Sequence, residues 1–289
     1  MRISVALSGE QLESRVAAKF PGVGLLRGEY VFRRAGRYPT TESVEEYLVP
    51  YLRDVAEQAG GQPVWYRFLE VTTVEANVLA GVEEYIEGEA HPLLGMRGIR
   101  RARRFPAHFR AEIAGVAAVA NAVPGNGIGV VLPFVTDPEE VEWAAAEIQR
   151  HAPGVAIGSM IETPSALLQL DRLIDAGVER ALIGVNDLSS LVEARTRARG
   201  VPPSGGLMAA IALAREVTAR RGIELAVAGY LSAELIDACR AAGVDECVVH
   251  YHDLPRLFGS EWDDLPELGL LTEIKEKTLR DIAARTARG

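Results

Sequence analysis

A (β/α)8 TIM barrel with a short N-terminal helical arm and a C-terminal helical tail is the fold this sequence predicts, on three observations. Short apolar runs lie near residues 23, 64, 128, 156, 181, 224 and 246, with an eighth, weaker one around Gly98. Stretches of helical periodicity separate them, and that alternation argues for a parallel sheet covered by helices. The third observation is length: 289 residues suit one barrel, and no internal repeat, low-complexity stretch or long linker divides them. An open doubly wound sheet is the alternative, because the third run is weak.

In chain order, residues 1–20 read as a helical, partly polar arm outside the main domain, 21–260 as the barrel and 261–289 as the tail. The run at 23–26 reads as a strand that ends in Arg27, followed by Glu29, Tyr30 and Phe32. Val44, Tyr47, Leu48, Tyr51, Leu52 and Val55 recur at helical spacing. PVWYRFLEV, residues 63–71, reads as a strand whose polar members are Arg67 and Glu70. An acidic stretch at 77–90, expected as loop with some helix, leads into HPLLGMRGIRRARR and then an alanine-rich helix over 106–123. A Gly-Asn-Gly turn opens the strand at 128–132, and Asp137 with Glu139 and Glu140 starts a helix whose first turn is acidic. Helices are expected over 204–220 and 232–242, with strands at 223–228 and 246–250.

The chemistry concentrates in residues 154–190. Two apolar runs there end abruptly in polar groups, Glu162-Thr163-Pro164 and Asn186-Asp187, with a helix between them. A right-handed βαβ unit makes the strands parallel and brings Glu162 and Asp187 to one edge. Two carboxylates at neighbouring strand ends form a hard oxygen site of the kind Mg²⁺ takes. The plainer alternative gives Glu162 a helix-capping role and Asp187 a turn. In a barrel the same face also collects Arg27, Arg67 and Asn186, with Arg97 from the weak third unit. Arginines beside two carboxylates suit a small polyanion, because guanidinium forks match carboxylate and phosphate oxygens in pairs. Arg100 to Arg104 read instead as solvated surface.

A net charge of −9 disfavours nucleic acid or an anionic membrane as partner, and no apolar run reaches transmembrane length. Two cysteines, Cys239 and Cys247, are too few for a disulfide scaffold, so free thiols and a cytoplasmic location are expected.

In order along the chain, GVGLLRGEYVF, HPLLGMRGIR, VVLPFVTDPEEV, GSMIETPSAL and LIGVNDLS resemble the phosphoenolpyruvate/pyruvate barrel of the PEP-utilising enzymes: pyruvate phosphate dikinase, PEP synthase and enzyme I of the sugar phosphotransferase system. The resemblance runs over about residues 21–256. It implies that Arg27 and Arg67, with Arg97, bind phosphate or carboxylate. It further implies that Glu162 and Asp187 hold Mg²⁺, that Asn186 binds phosphate, and that Arg197 matches a phosphate-binding arginine.

The departures are informative. Where the family has Cys-Gly-Glu, its cysteine being the acid that protonates the enolate, this chain has Ala228-Gly229-Tyr230. After Arg67, where the family usually has Gly-Gly-Asp-Lys, it reads Val71-Thr72-Thr73-Val74. Nothing resembles the family's phosphohistidine or ATP-grasp domains, so this chain by itself is not expected to carry phosphoryl from ATP to pyruvate.

The expected enzyme binds PEP, pyruvate or a related oxoacid and stabilises an enolate on Mg²⁺. Three fates are open: phosphoryl transfer to a separate phosphocarrier protein, carbon–carbon chemistry of the aldolase or lyase kind, or a degenerate barrel acting as PEP sensor or subunit. His250 and Tyr230 are candidate substitute acids beside Arg67; an ordinary polar role at a strand end is the plainer account of each. Apolar residues in 262–271 point to a homodimer contact or to a helix folded back on its own barrel.

Overall fold

A computed structural model describes residues 1–82, 89, 91, 94–123, 125, 127–196 and 203–287. Its strands are β1 (Arg2–Leu7), β2 (Val23–Arg27), β3 (Val64–Arg67), β4 (Ile128–Leu132), β5 (Ala156–Ile161), β6 (Arg180–Gly184), β7 (Glu224–Ala228) and β8 (Glu246–His250). Each pairs in parallel with the next, and β1 pairs with β8, so the sheet closes into a barrel in chain order. The seven stronger apolar runs are all strands, as a sheet buried on both faces requires.

Two expectations at the start of the chain are corrected. Residues 2–7 are not part of a helical arm; they form β1, in register with β8 from Arg2 opposite Glu246 to Ala6 opposite His250. Ser4 breaks the apolar run because it faces a polar layer inside the barrel, where it donates to Glu246. Conversely, the run around Gly98 is no strand but the start of the helix Gly98–Arg104. Gly98 has φ 53°, and a Cβ there would stand 2.3 Å from the Pro133 carbonyl oxygen, so its glycine serves a close crossing rather than a strand. Among the described residues three helices, Thr73–Ala76, Gly98–Arg104 and Pro106–Ala122, lie between β3 and β4. Arg101, expected at the surface, is buried and donates to the Tyr38 hydroxyl and Thr73 Oγ1.

Most of the core lies between the strands' outward residues and the surrounding helices. A smaller cluster fills the barrel itself: Ala6, Leu25, Val131, Met160, Leu182, Ala226, Ala228 and Val248, with Trp65 against it. Two residues earlier on several of the same strands is a charged layer. There Arg180, 1% exposed, donates to Glu246 Oε2 at 2.8 Å and the Gly24 carbonyl at 3.0 Å, and its guanidinium lies 4.6 Å from the Trp65 ring centre.

Helix Leu270–Thr286, in the expected tail, folds back on its own barrel: Leu270, Leu271 and Ile274 pack with Tyr30. Trp262 is buried with its ring 5.4 Å from that of Phe20. The apolar residues that suggested a homodimer contact are therefore covered within the chain. Among the described residues no helix is long and apolar enough to cross a membrane, and Cys239 and Cys247 are free and buried.

Candidate functional site

Side chains on a strand alternate between faces, so the residue two positions beyond an inward one also faces inward. Advancing the barrel's apolar layer by two positions turns Ala6 into Ser8, Trp65 into Arg67, Met160 into Glu162, Leu182 into Gly184 and Val248 into His250. Leu25 leads likewise to Arg27. The C-terminal end of the barrel is polar by the same periodicity that makes its middle apolar. A cavity of about 520 Å³ opens there, lined by Arg27, Arg67, Arg97, Glu162, Asn186, Asp187, Tyr230 and His250 among others. The structure thus gathers every predicted site residue except Arg197, which lies outside the described residues.

Glu162 sits one residue past Ile161, which is paired with Ile183, and is buried beside Gly184. A Cβ on Gly184 would stand 2.6 Å from Glu162 Oε1, so the glycine makes the carboxylate's place. Capping falls to the next residue: Thr163 Oγ1 accepts from Ala166 N at 3.0 Å, while Glu162 Oε2 accepts from Phe134 N at 3.1 Å. Phe134 holds φ 46°, a conformation a non-glycine residue adopts only when its surroundings impose it. Burial, opposed by Arg67 and reinforced by the charge of Asp187, pushes the Glu162 carboxyl up to about 7. Asp187, also buried, lies in the first turn of the helix Val185–Val192.

Two arginines face these carboxylates from a short distance. Arg67 is anchored by Glu29 Oε1 at 2.5 Å and stands 3.7 Å from Glu162. Arg97 is anchored by Glu70 Oε1 at 2.7 Å, stacks 4.3 Å over Phe134 and stands 3.9 Å from Asp187. Burial works against both cations; the surrounding carboxylates outweigh it and raise their pKa values. Each guanidinium is therefore held tightly on its outer side and loosely on the side facing the site. The Arg67 Nε, fully buried, has no hydrogen-bond partner among the described residues. Glu29, Glu70 and Phe134 were not foreseen as functional; the first two stand beside or near the predicted arginines, a usable signal, but Phe134 has none.

The cavity is also lined by Arg27, which is in register with Arg67 on the neighbouring strand, and by Asn186, Tyr230 and His250. Arg27 donates Nε to Ser8 Oγ at 3.0 Å and stacks 4.4 Å over Tyr30. Asn186 Oδ1 accepts from Tyr230 N at 3.2 Å. His250 is 4% exposed, its ring stacked 5.1 Å from that of His252. Burial, then the nearby Arg27, His252, Lys275 and Arg67, push its pKa well below the ordinary range. That shift favours the neutral imidazole over the cation.

The donor set fits a divalent hard cation. Two buried carboxylates line one cavity, Glu162 beside the Gly184 cradle, and the charge of Asp187 opposes ionisation of Glu162, a condition a divalent ion would relieve. Among the described residues no group of three or more His, Cys, Asp or Glu side chains could hold a metal, so an ion held by Glu162 and Asp187 would need substrate and water oxygens to complete its shell.

Comparison with known proteins identifies the family of the chain. The family described as PEP-utilising enzyme, PEP-binding domain, matches residues 3–252. The probable phosphoenolpyruvate synthase of Pyrococcus abyssi is 37% identical over 200 residues, covering 65% of this chain and 24% of that protein. The phosphoenolpyruvate synthase of Pyrococcus furiosus matches to the same extent. The phosphoenolpyruvate-protein phosphotransferase of Streptomyces coelicolor is 27% identical over 240 residues, 79% of this chain and 41% of that protein. The chain spans about a quarter of the length of the synthases it matches. Among solved structures, a HpcH/HpaI aldolase/citrate lyase family protein from Burkholderia cenocepacia superposes with TM-score 0.54 at 12% identity, covering 98% of this chain and 94% of that one. Citrate synthase SbnG superposes with TM-score 0.52 at 14% identity, covering 100% and 94%. These two likenesses show the fold.

Proposed function

The chain belongs to the PEP-utilising enzyme family through its PEP-binding domain, and on that premise we propose that it is a Mg²⁺-dependent enzyme that binds PEP, pyruvate or a related oxoacid and acts through an enolate. The observation that carries this is the pairing of Arg67 and Arg97 with Glu162 and Asp187. Each arginine is fixed from behind by its own carboxylate and leaves 3.7 to 3.9 Å on the site side. At these distances each arginine is loosely ion-paired with a site carboxylate, so anionic ligand oxygens and a divalent ion would take over these pairings, the oxygens on the arginines and the ion on the carboxylates.

In this reading Arg67, Arg97 and Arg27 bind the carboxylate and phosphoryl oxygens, Asn186 donates its amide to the same group, and Glu162 with Asp187 hold the ion. Bound Mg²⁺ supplies positive charge where the enol oxygen becomes anionic. The arginines orient the substrate plane, so that its methyl or methylene carbon faces the wall of Tyr230 and His250. In the phosphotransfer version of this reading, a histidine outside the barrel, such as one on a phosphocarrier protein, takes the phosphoryl group.

A carbon–carbon lyase or aldolase is the second reading, and one observation favours it. Ala228 stands where the family has its acid, and burial holds His250 toward its neutral form. An enolate kept from quick protonation is available to a carbon electrophile.

Calorimetric titration of PEP, and of oxalate as an enolpyruvate mimic, tests the pocket. Binding is expected only with Mg²⁺ and is expected to be lost in Glu162→Gln. Binding that ignores both Mg²⁺ and Glu162, or no binding at all, would overturn the assignment. Binding of PEP by a protein that never exchanges the methyl protons of pyruvate would leave a sensor in place of an enzyme.

A further inference from the structure

Two residues that line the cavity, Lys275 and Leu279, come from the C-terminal helix. Helix Leu270–Thr286 crosses the C-terminal mouth of the barrel with Leu270, Leu271, Ile274 and Thr278 buried. It is tied down by Arg33, whose Nε donates to Thr278 Oγ1 at 3.0 Å, and by Arg285, which donates to the Asn77 carbonyl at 2.7 Å. Lys275 falls on the same face, half-buried, and lines the cavity. Its Nζ donates to the Tyr230 hydroxyl at 3.0 Å and lies 5.7 Å from the centre of that ring.

Tyr230 is two residues past Ala228, the inward residue at the tip of β7, and its position is fixed from three sides. Its backbone N–H donates to Asn186 Oδ1, its ring lies 5.6 Å from that of His250, and its hydroxyl receives Lys275. Gly229, at φ 133°, permits the turn, since a Cβ there would stand 2.5 Å from Val185 Cγ2. The other proton carriers are in use or out of reach. Glu162 and Asp187 are given to the metal in that reading, Glu29, Glu70 and Glu75 pair with Arg67, Arg97 and Arg33, burial holds His250 toward its neutral form, and Cys239 and Cys247 are buried in the layer outside the barrel.

We propose that Tyr230 is the proton donor to the enolate carbon and that Lys275, delivered by the C-terminal helix, recharges it. The proposal rests on the enolate reading above. As the new C–H bond forms from the enolate's electron pair, the Tyr230 O–H bond breaks and leaves its pair on the phenolate oxygen. The Lys275 ammonium then gives a proton to the phenolate, and water at the half-exposed amine restores the ammonium. Run backwards, the same steps remove a methyl proton from pyruvate and exchange it with solvent. The hydroxyl is the group that touches substrate; Lys275 acts through it.

Deuterium exchange into the methyl group of pyruvate, read by NMR beside the calorimetric affinity for oxalate with Mg²⁺, tests this. Tyr230→Phe should slow exchange on the order of 100-fold, the usual weight of a general acid, while oxalate affinity stays within about 3-fold. Lys275→Ala should slow exchange and recover on addition of methylammonium, which a merely structural lysine would not do. Wild-type exchange rates in Tyr230→Phe, or oxalate binding by the wild type without any exchange, would overturn the donor assignment. Failure of methylammonium to restore Lys275→Ala would overturn the relay. If the wild type does not bind oxalate, the enolate reading itself fails and this proposal with it.

Discussion

One methyl group is enough to probe the carboxylate pole. A Cβ on Gly184 would meet Glu162 Cγ at 2.5 Å and Oε1 at 2.6 Å, so Gly184→Ala must push the carboxylate off its place. Mg²⁺-dependent oxalate affinity should drop about 10-fold or more by calorimetry, as when a ligand's support is removed. Glu112 offers a different test. It is buried, accepting from the Tyr66 hydroxyl and from Leu69 N at 3.0 Å. Burial, reinforced by Glu29, drives its carboxyl up to about 8 in spite of those donors. The folded chain therefore holds a proton that the unfolded chain releases at about 4.5. The resulting stability is complete below that pH and is lost as pH rises toward 8. Glu112→Gln should lack this slope, so the wild type should lose stability relative to the variant between about pH 5 and pH 8 in urea titrations.

At the scale of elements, Gly98→Ala should cost about 1–3 kcal/mol in denaturant titrations. It adds a side chain at φ 53° against the Pro133 carbonyl. Leu271→Ala, in the helix over the mouth, should cost about 2–5 kcal/mol by the same measurement. The strands β2 to β8 were legible because each centres on a short apolar run bounded by helical stretches. β1 escaped because Ser4 faces the interior polar layer, and an alternation broken after so few residues has no period to read. Gly98 misled in the other direction: a glycine beside an isoleucine resembles a strand fragment, yet it serves a helix start. Glu162, Asp187, Asn186 and the arginines were legible because each ends an apolar run or belongs to a motif. Lys275 was not, because nothing local to residues 261–289 says which face of that helix meets the barrel.

The molecule as a whole is polar at both ends of its barrel. At the N-terminal end a second cavity, about 600 Å³, opens beside Arg2, Trp65, Glu224 and Glu246. Arg180 crosses that end from β6 to the Gly24 carbonyl of β2 and to Glu246 of β8. Removing its charge leaves Glu246 buried with only Ser4 and the half-exposed Arg2. Arg180→Met should therefore destabilise the fold by about 3 kcal/mol in guanidinium titrations. Oxalate binding at the opposite mouth should persist in that variant under native conditions.

The barrel closes through β1 against β8, joining Arg2 to a partner 244 positions away. During synthesis the early strands must wait as an open curved sheet, with β1 offering its unpaired backbone to any neighbouring strand. Only when β8 has left the ribosome does Ala6 find His250 opposite it. The edge left open during synthesis thus closes with the same event that assembles the pocket wall.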